Sequence, residues 1–195
     1  MTRPTVRQSL AALVSDGFIR KYQGKGSIVH GRQREIGILS VSGTTSAVGD
    51  RNLETRIIVR PELRPWDDHF MFPLSELEKE SGCIYMERLR LLDGIPIFYD
   101  ISFIANINLP RITSRQFENK SLFQILRDNY QVEIKGGAQR IKAIPASARI
   151  SRFLSIKKGE PVLHLERKID TNIQELHLYS SIYCNTGNYS IYGTF

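Results

Sequence analysis

Residues 83–106 read Cys-Ile-Tyr-Met-Glu-Arg-Leu-Arg-Leu-Leu-Asp-Gly-Ile-Pro-Ile-Phe-Tyr-Asp-Ile-Ser-Phe-Ile-Ala-Asn. Two runs rich in β-branched and aromatic residues, Cys83 to Leu92 and Ile95 to Asn106, flank an Asp93-Gly94 pair, an order that predicts two strands joined as a hairpin. Such a short link makes the pairing antiparallel. Arg88 and Arg90 stand two residues apart, so both project from one face of the first strand. Two guanidinium forks side by side suit a phosphate or a carboxylate; the alternative is a salt-bridged ladder on a solvent-facing side.

Outward from this hairpin, further strands are predicted at Ile36 to Val41, Glu54 to Arg64, Val132 to Pro145, Val162 to Thr171 and Glu175 to Asn185, many with alternating polarity. Thr171 to Gln174 supplies a second hairpin link. Helices are predicted at Pro73 to Glu80, Ser121 to Tyr130 and Ala146 to Ile156; in the second, Leu122, Ile125 and Leu126 recur at i, i+3 and i+4 and form one apolar face. The body is therefore read as α+β: a largely antiparallel sheet with helices packed on one side.

With 195 residues, 41% hydrophobic and 24% charged, the chain has an ordinary globular composition, which excludes disordered, collagenous and disulfide-scaffold classes. The length allows one large core and a small second module. Cys83 and Cys184 are far apart and lack a second pair at zinc spacing, so both read as buried thiols in a reducing compartment, without a structural metal. No run approaches the ~18 apolar residues of a membrane span, and the start lacks a signal-peptide pattern; the expected location is the cytoplasm, with no membrane partner. The formal net charge of +7 is unevenly spread. Residues 1–34 hold Arg3, Arg7, Arg20, Lys21, Lys25, Arg32 and Arg34 against a single acid, Asp16, while the remainder is almost neutral. That segregation fits a nucleic-acid-binding element attached to a neutral body.

The same N-terminal segment has the pattern of a helix and a basic hairpin. Thr2 is placed to cap a helix, Val6, Leu10, Leu13 and Val14 make one apolar face, and Asp16-Gly17 ends it. Phe18 to Tyr22 and Ser27 to His30 read as short strands around Gln23-Gly24-Lys25-Gly26. A helix followed by such a hairpin is the second half of a winged helix-turn-helix. Arg3, Thr5, Arg7 and Gln8 fall off the apolar face near the helix start, where a recognition helix meets base edges and phosphates, and Lys25 at the hairpin tip reaches toward a phosphate.

Thr2-Arg3-Pro4-Thr5-Val6-Arg7-Gln8-Ser9-Leu10, Asp16-Gly17-Phe18-Ile19 and Gln23-Gly24-Lys25-Gly26-Ser27-Ile28-Val29 closely resemble the recognition helix and wing of GntR-type bacterial transcription regulators. The resemblance implies recognition-helix contacts from Thr2, Arg3, Thr5 and Arg7, and minor-groove contacts from Gln23 and Gly24. In that family two further helices precede the motif, and this chain begins inside it. As written it is therefore expected to bind DNA weakly and with little specificity, through phosphate attraction without the positioning scaffold. The body resembles the effector-binding (UTRA) domain of the HutC-like branch, a fold similar to chorismate lyase. The residues that carry this resemblance are Arg88-Leu89-Arg90, Asp93-Gly94-Ile95-Pro96, Ser121-Leu122, Gly159-Glu160-Pro161-Val162-Leu163 and the stretch from Tyr183 to Tyr189. The implied organisation is a partial winged helix over 1–31, a linker over 32–35 and a UTRA-like domain over 36–195.

The family places an acid on the strand after the arginines, and Asp100 stands there where Glu is usual. A two-residue Asp-Gly turn pairs Leu92 with Ile95 and sends Asp100 to the face opposite the arginines; a three-residue loop ending in a left-handed Gly94 puts all three on one face. The three-residue loop is expected. The loop Leu39 to Gly49, full of small hydroxyls and backbone donors, is a candidate anion cradle, with Ser40 and Ser42 at the family's loop positions. Ser121 reads as a helix cap first and a ligand group second. Tyr183 either closes the pocket or is a half-buried sheet tyrosine.

His30, His69, His164 and His177 lack metal-ligand spacing, and no nucleophile elbow, phosphate-binding loop or dinucleotide motif occurs, so no cofactor or metal is expected. The first reading is a ligand-responsive transcription regulator, acting as a repressor and homodimer on operator DNA and sensing a small anionic metabolite such as a sugar phosphate. The alternatives are a small lyase-like enzyme on the same architecture, with Asp100 as general acid or base, and a ligand-binding dimer without specific DNA binding.

Overall fold

The computed structural model describes residues 5–6, 9–10, 19–22, 26–29, 34–36, 53–187 and 189–191. The chain divides into two units, Met1–Arg34 and Glu35–Phe195. In the first, Thr5, Val6, Ser9 and Leu10 are helical, and the Ser9 hydroxyl donates to the Thr5 carbonyl at 3.0 Å. Strands β1 (Ile19–Tyr22) and β2 (Gly26–Val29) pair antiparallel, Ile19 opposite Val29 and Tyr22 opposite Gly26. The expected DNA contacts Thr2, Arg3, Arg7, Gln23, Gly24 and Lys25 lie outside the described residues; Thr5 is exposed.

The second unit is built on one antiparallel sheet of six strands in the order β4-β5-β6-β9-β8-β7. These are β4 (Leu53–Arg64), β5 (Cys83–Leu92), β6 (Ile95–Ala105), β7 (Ile134–Pro145), β8 (Pro161–Thr171) and β9 (His177–Cys184). Short strands β3 (Arg34–Ile36) and β10 (Tyr189–Ile191) form a separate pair. The helices are α1 (Glu76–Ser81), α2 (Leu122–Tyr130) and α3 (Ala148–Leu154), each opened by a serine whose hydroxyl accepts from the N–H three residues on. No helix among the described residues is long and apolar enough to cross a membrane.

Helices cover both faces of the sheet, not one as the sequence reading had it. On one face Leu122, Ile125 and Leu126 of α2 pack on Ile84, Met86, Ile104, Ile169 and Leu178. On the other, Ile150 and Leu154 of α3 pack on Leu89, Leu91 and Tyr99. Every residue of β5 is buried as a result. Cover on both faces is what lets this strand be apolar at nearly every position instead of at alternate ones.

The far face carries two buried acids with full sets of partners. Glu78 of α1 completes a capping box with Ser75, and the same carboxylate accepts from Tyr179 Oη and contacts His177 Nδ1, both at 2.9 Å, tying the short helix to β9. Glu78→Ala is therefore expected to cost about 3 kcal/mol, the sum of a lost cap and orphaned buried donors, read as a lower urea midpoint with an unchanged slope. Glu87 of β5 accepts from Tyr85 Oη, from Tyr99 Oη at 2.5 Å and from Arg149 Nη2 at 2.6 Å. Burial alone would raise its pKa, but these donors outweigh burial and hold the carboxyl below its ordinary value. A depressed carboxyl contributes stability above the unfolded value of ~4.3 and loses it as pH falls through the folded one. The urea midpoint should accordingly fall more steeply below about pH 4.3 in the wild type than in Glu87→Gln.

Candidate functional site

Whether Asp100 joins the arginines depends on the register of the β5–β6 hairpin. The turn is the two-residue one: Leu92 pairs with Ile95, and Asp93 and Gly94 both have positive φ, 53° and 79°. That is the primed turn Asp-Gly favours, so the expected three-residue loop is incorrect. Alone, this turn would send Asp100 to the wrong face. The register shifts once more, however: Leu91 pairs with Pro96 but Arg90 with Phe98, leaving Ile97 as the extra residue of a β-bulge. Beyond it Arg88 faces Asp100 directly. The three charged groups share a face because of the bulge.

They line a small pocket between the sheet and the start of α2. Arg88, Arg90 and Asp100 are each no more than 3% exposed, so the solvent-facing ladder does not apply. Arg88 Nη2 donates to Asp100 Oδ2 at 2.7 Å and to Ser102 Oγ at 3.0 Å; Ser102 Oγ donates to Asp100 Oδ1 at 3.0 Å. Arg90 Nη2 lies 3.7 Å from Asp100 Oδ2. Burial, with the neighbouring Arg88 charge, pushes Arg90 down to about 9, leaving it protonated at neutral pH. Ser121, the cap of α2, accepts from the Gln124 N–H at 3.4 Å and also lines the pocket beside Leu122 and Phe123.

The structure adds a third arginine and removes a tyrosine. Arg167 of β8, 6% exposed, lines the pocket, its Nε donating to Gln139 Oε1 at 3.1 Å. The sequence reading omitted it because it stands alone on its strand; the available signal was its place among Leu165 and Ile169, an arginine on an apolar face. Tyr183 does not reach the pocket. Asp100 pairs with Ile182, so Tyr183 points to the opposite face, stacked on His164 at 4.4 Å between ring centroids. It follows the half-buried sheet alternative. Ser40 and Ser42 lie outside the described residues.

Three buried guanidiniums thus share the pocket with one carboxylate. Among the described residues Arg88 Nε and Nη1 and Arg167 Nη2 are buried and have no hydrogen-bond partner. Buried donors left unpaired cost stability, so their retention around a cavity marks a place for an acceptor that no described residue supplies.

The sheet, covered by helices on both faces, thus holds a cationic pocket at the start of α2, an arrangement suited to binding a small anion. The UTRA domain model matches residues 50–190, and the chain belongs to that family. It is similar to the "probable fructoselysine utilization operon transcriptional repressor" of Escherichia coli (strain K12), 24% identical over 98% of this chain and 78% of the relative. The HTH-type transcriptional repressor NagR of Bacillus subtilis (strain 168) is 25% identical over 86% of this chain and 68% of its own length. In fold the chain matches the crystal structure of PhnF from Mycobacterium smegmatis with a TM-score of 0.76 at 17% identity, covering 100% of this chain and 85% of that one. The protein is a ligand-responsive transcription regulator whose sensing unit is a UTRA domain.

Proposed function

We propose that the protein is a repressor whose sheet pocket senses a small anionic metabolite such as a sugar phosphate. The observation that carries the reading is a pocket lined by three buried guanidiniums and, among the described residues, a single carboxylate. In this reading Arg88 and Arg90 take the phosphate, the α2 start with Ser121 adds its N–H groups and dipole, and Asp100 accepts a ligand hydroxyl. Ser40 and Ser42 complete the cradle. Relatives named for the use of fructoselysine and mannosyl-D-glycerate favour a sugar derivative. Thr2, Arg3, Thr5, Arg7, Gln23, Gly24 and Lys25 contact operator DNA, two copies act as a homodimer, and the protein works in the cytoplasm.

A sensor is favoured over a lyase because Asp100 is already engaged, accepting from Arg88 and Ser102 and acting as a counter-ion. Effector control requires that the ligand bind the DNA-competent and DNA-free states with different affinity. Fluorescence anisotropy tests the reading, using the product of the complete reading frame, a fragment of its own promoter and a scrambled control at two salt concentrations. Preference for the promoter, relieved by a sugar phosphate recovered unchanged, is expected. Equal binding of both fragments, or consumption of the sugar phosphate, would overturn it.

A further inference from the structure

Arg167 stands apart from the other two arginines. Strand β8 is separated from β5 by β6 and β9, three strand spacings or about 14 Å. The Arg88 guanidinium leans onto β6, toward Asp100 and Ser102, whereas Arg167 is tied through Nε to Gln139 on β7, away from β5. The two side chains therefore enter the one pocket from different sides. Gln139 gives Arg167 a hydrogen bond but no opposing charge, and among the described residues no carboxylate forms an ion pair with it. Its Nη2 is buried, unpartnered and part of the pocket wall. Burial lowers its pKa, and the Asp100 charge nearby offsets that only in part. A residue serving only packing would be replaced at less cost by an apolar side chain of similar volume.

We propose that Arg167 is a second anchor of the pocket, and that the ligand carries two separated anionic groups, one held by Arg88 and Arg90 and a carboxylate received by Arg167. The inference rests on the anion-pocket reading above and narrows it to two-ended anions such as phosphorylated sugar acids. The charges support this class: three guanidiniums against one carboxylate leave an excess of two positive charges, and a carboxylate at Arg167 supplies the planar acceptor its fork fits.

The test uses two open-chain probes that differ only at one end, 6-phosphogluconate with a carboxylate and sorbitol 6-phosphate with a hydroxymethyl group. Calorimetric titration of the wild type should give about 10- to 100-fold tighter binding of the first, the value of one buried charge-assisted contact. Arg167→Met should erase that preference, leave the affinity for sorbitol 6-phosphate within about twofold, and melt no lower than the wild type without ligand. Arg167→Lys, which keeps the charge, should retain part of the preference. Equal binding of the two probes by the wild type overturns the proposal. So does a preference that survives in Arg167→Met, or a variant that melts lower and loses both probes equally, since either would make Arg167 a structural residue. Arg88→Met is the control on the underlying reading: if it binds both probes as the wild type does, or if the wild type binds neither, the anion pocket itself is refuted and this inference falls with it.

Discussion

Asp100→Asn is expected to destabilise the ligand-free protein by about 3–5 kcal/mol while tightening its hold on anions. Among the described residues Asp100 is the only carboxylate lining the pocket, 2.7 Å from Arg88 and 3.7 Å from Arg90. An amide in its place still bonds to Ser102 but no longer offsets the guanidinium charge. Buried like charges then repel without compensation, and the loss should exceed that of any exposed ion pair, such as Arg127 with Asp128, which contributes little. The same change removes the protein's own competitor for the ligand. Urea unfolding with and without sorbitol 6-phosphate should therefore show a low midpoint that the phosphate restores more fully than it raises that of the wild type. A general acid or base at this position would instead predict lost turnover with unchanged binding.

The second large effect is expected of Arg88→Met, with a loss of about 100-fold or more in affinity for sorbitol 6-phosphate, as calorimetry would measure it. Arg88 combines the shortest link to Asp100 with two buried nitrogens that have no partner among the described residues, Nε and Nη1. Methionine fills much of the space without charge, so the sheet should persist. Asp100 keeps Arg90 as a neighbour, and any fall in stability should be smaller than in Asp100→Asn. The comparison separates the two roles: Arg88 chiefly serves the ligand, Asp100 chiefly serves the arginines.

Strands β5 and β8 and helix α2 were legible because each has a strong local signal: dense β-branched and aromatic runs, or a capping serine followed by an apolar face. The spacing of Arg88 and Arg90 likewise placed both on one face. What local signals do not carry is register and partnership. The Asp93-Gly94 turn was correctly placed but its length was misjudged, and the grouping with Asp100 came out right through Ile97, whose bulge no turn rule announces. Bulges follow from how a whole strand bends against its neighbours. Arg167 was missed for a related reason: its meaning lies in burial three strands from Arg90, which depends on the order β5-β6-β9-β8. The same long-range order turned Tyr183 away from the pocket. Helices were expected on one face because each amphipathic stretch shows only that it packs, not against which side.

The most direct measurement of the central claim, that the buried guanidiniums receive an anion, is NMR of the arginine Nε–H groups. Inorganic phosphate would be titrated into the protein at constant ionic strength, with the Arg88 signal assigned through Arg88→Lys. The account predicts that the Arg88 signal moves and saturates, because its Nε has no partner among the described residues, while the exposed Arg127 shows at most a small linear drift. An Arg88 signal that stays in place as phosphate is added, or that drifts only as Arg127 does, would contradict it.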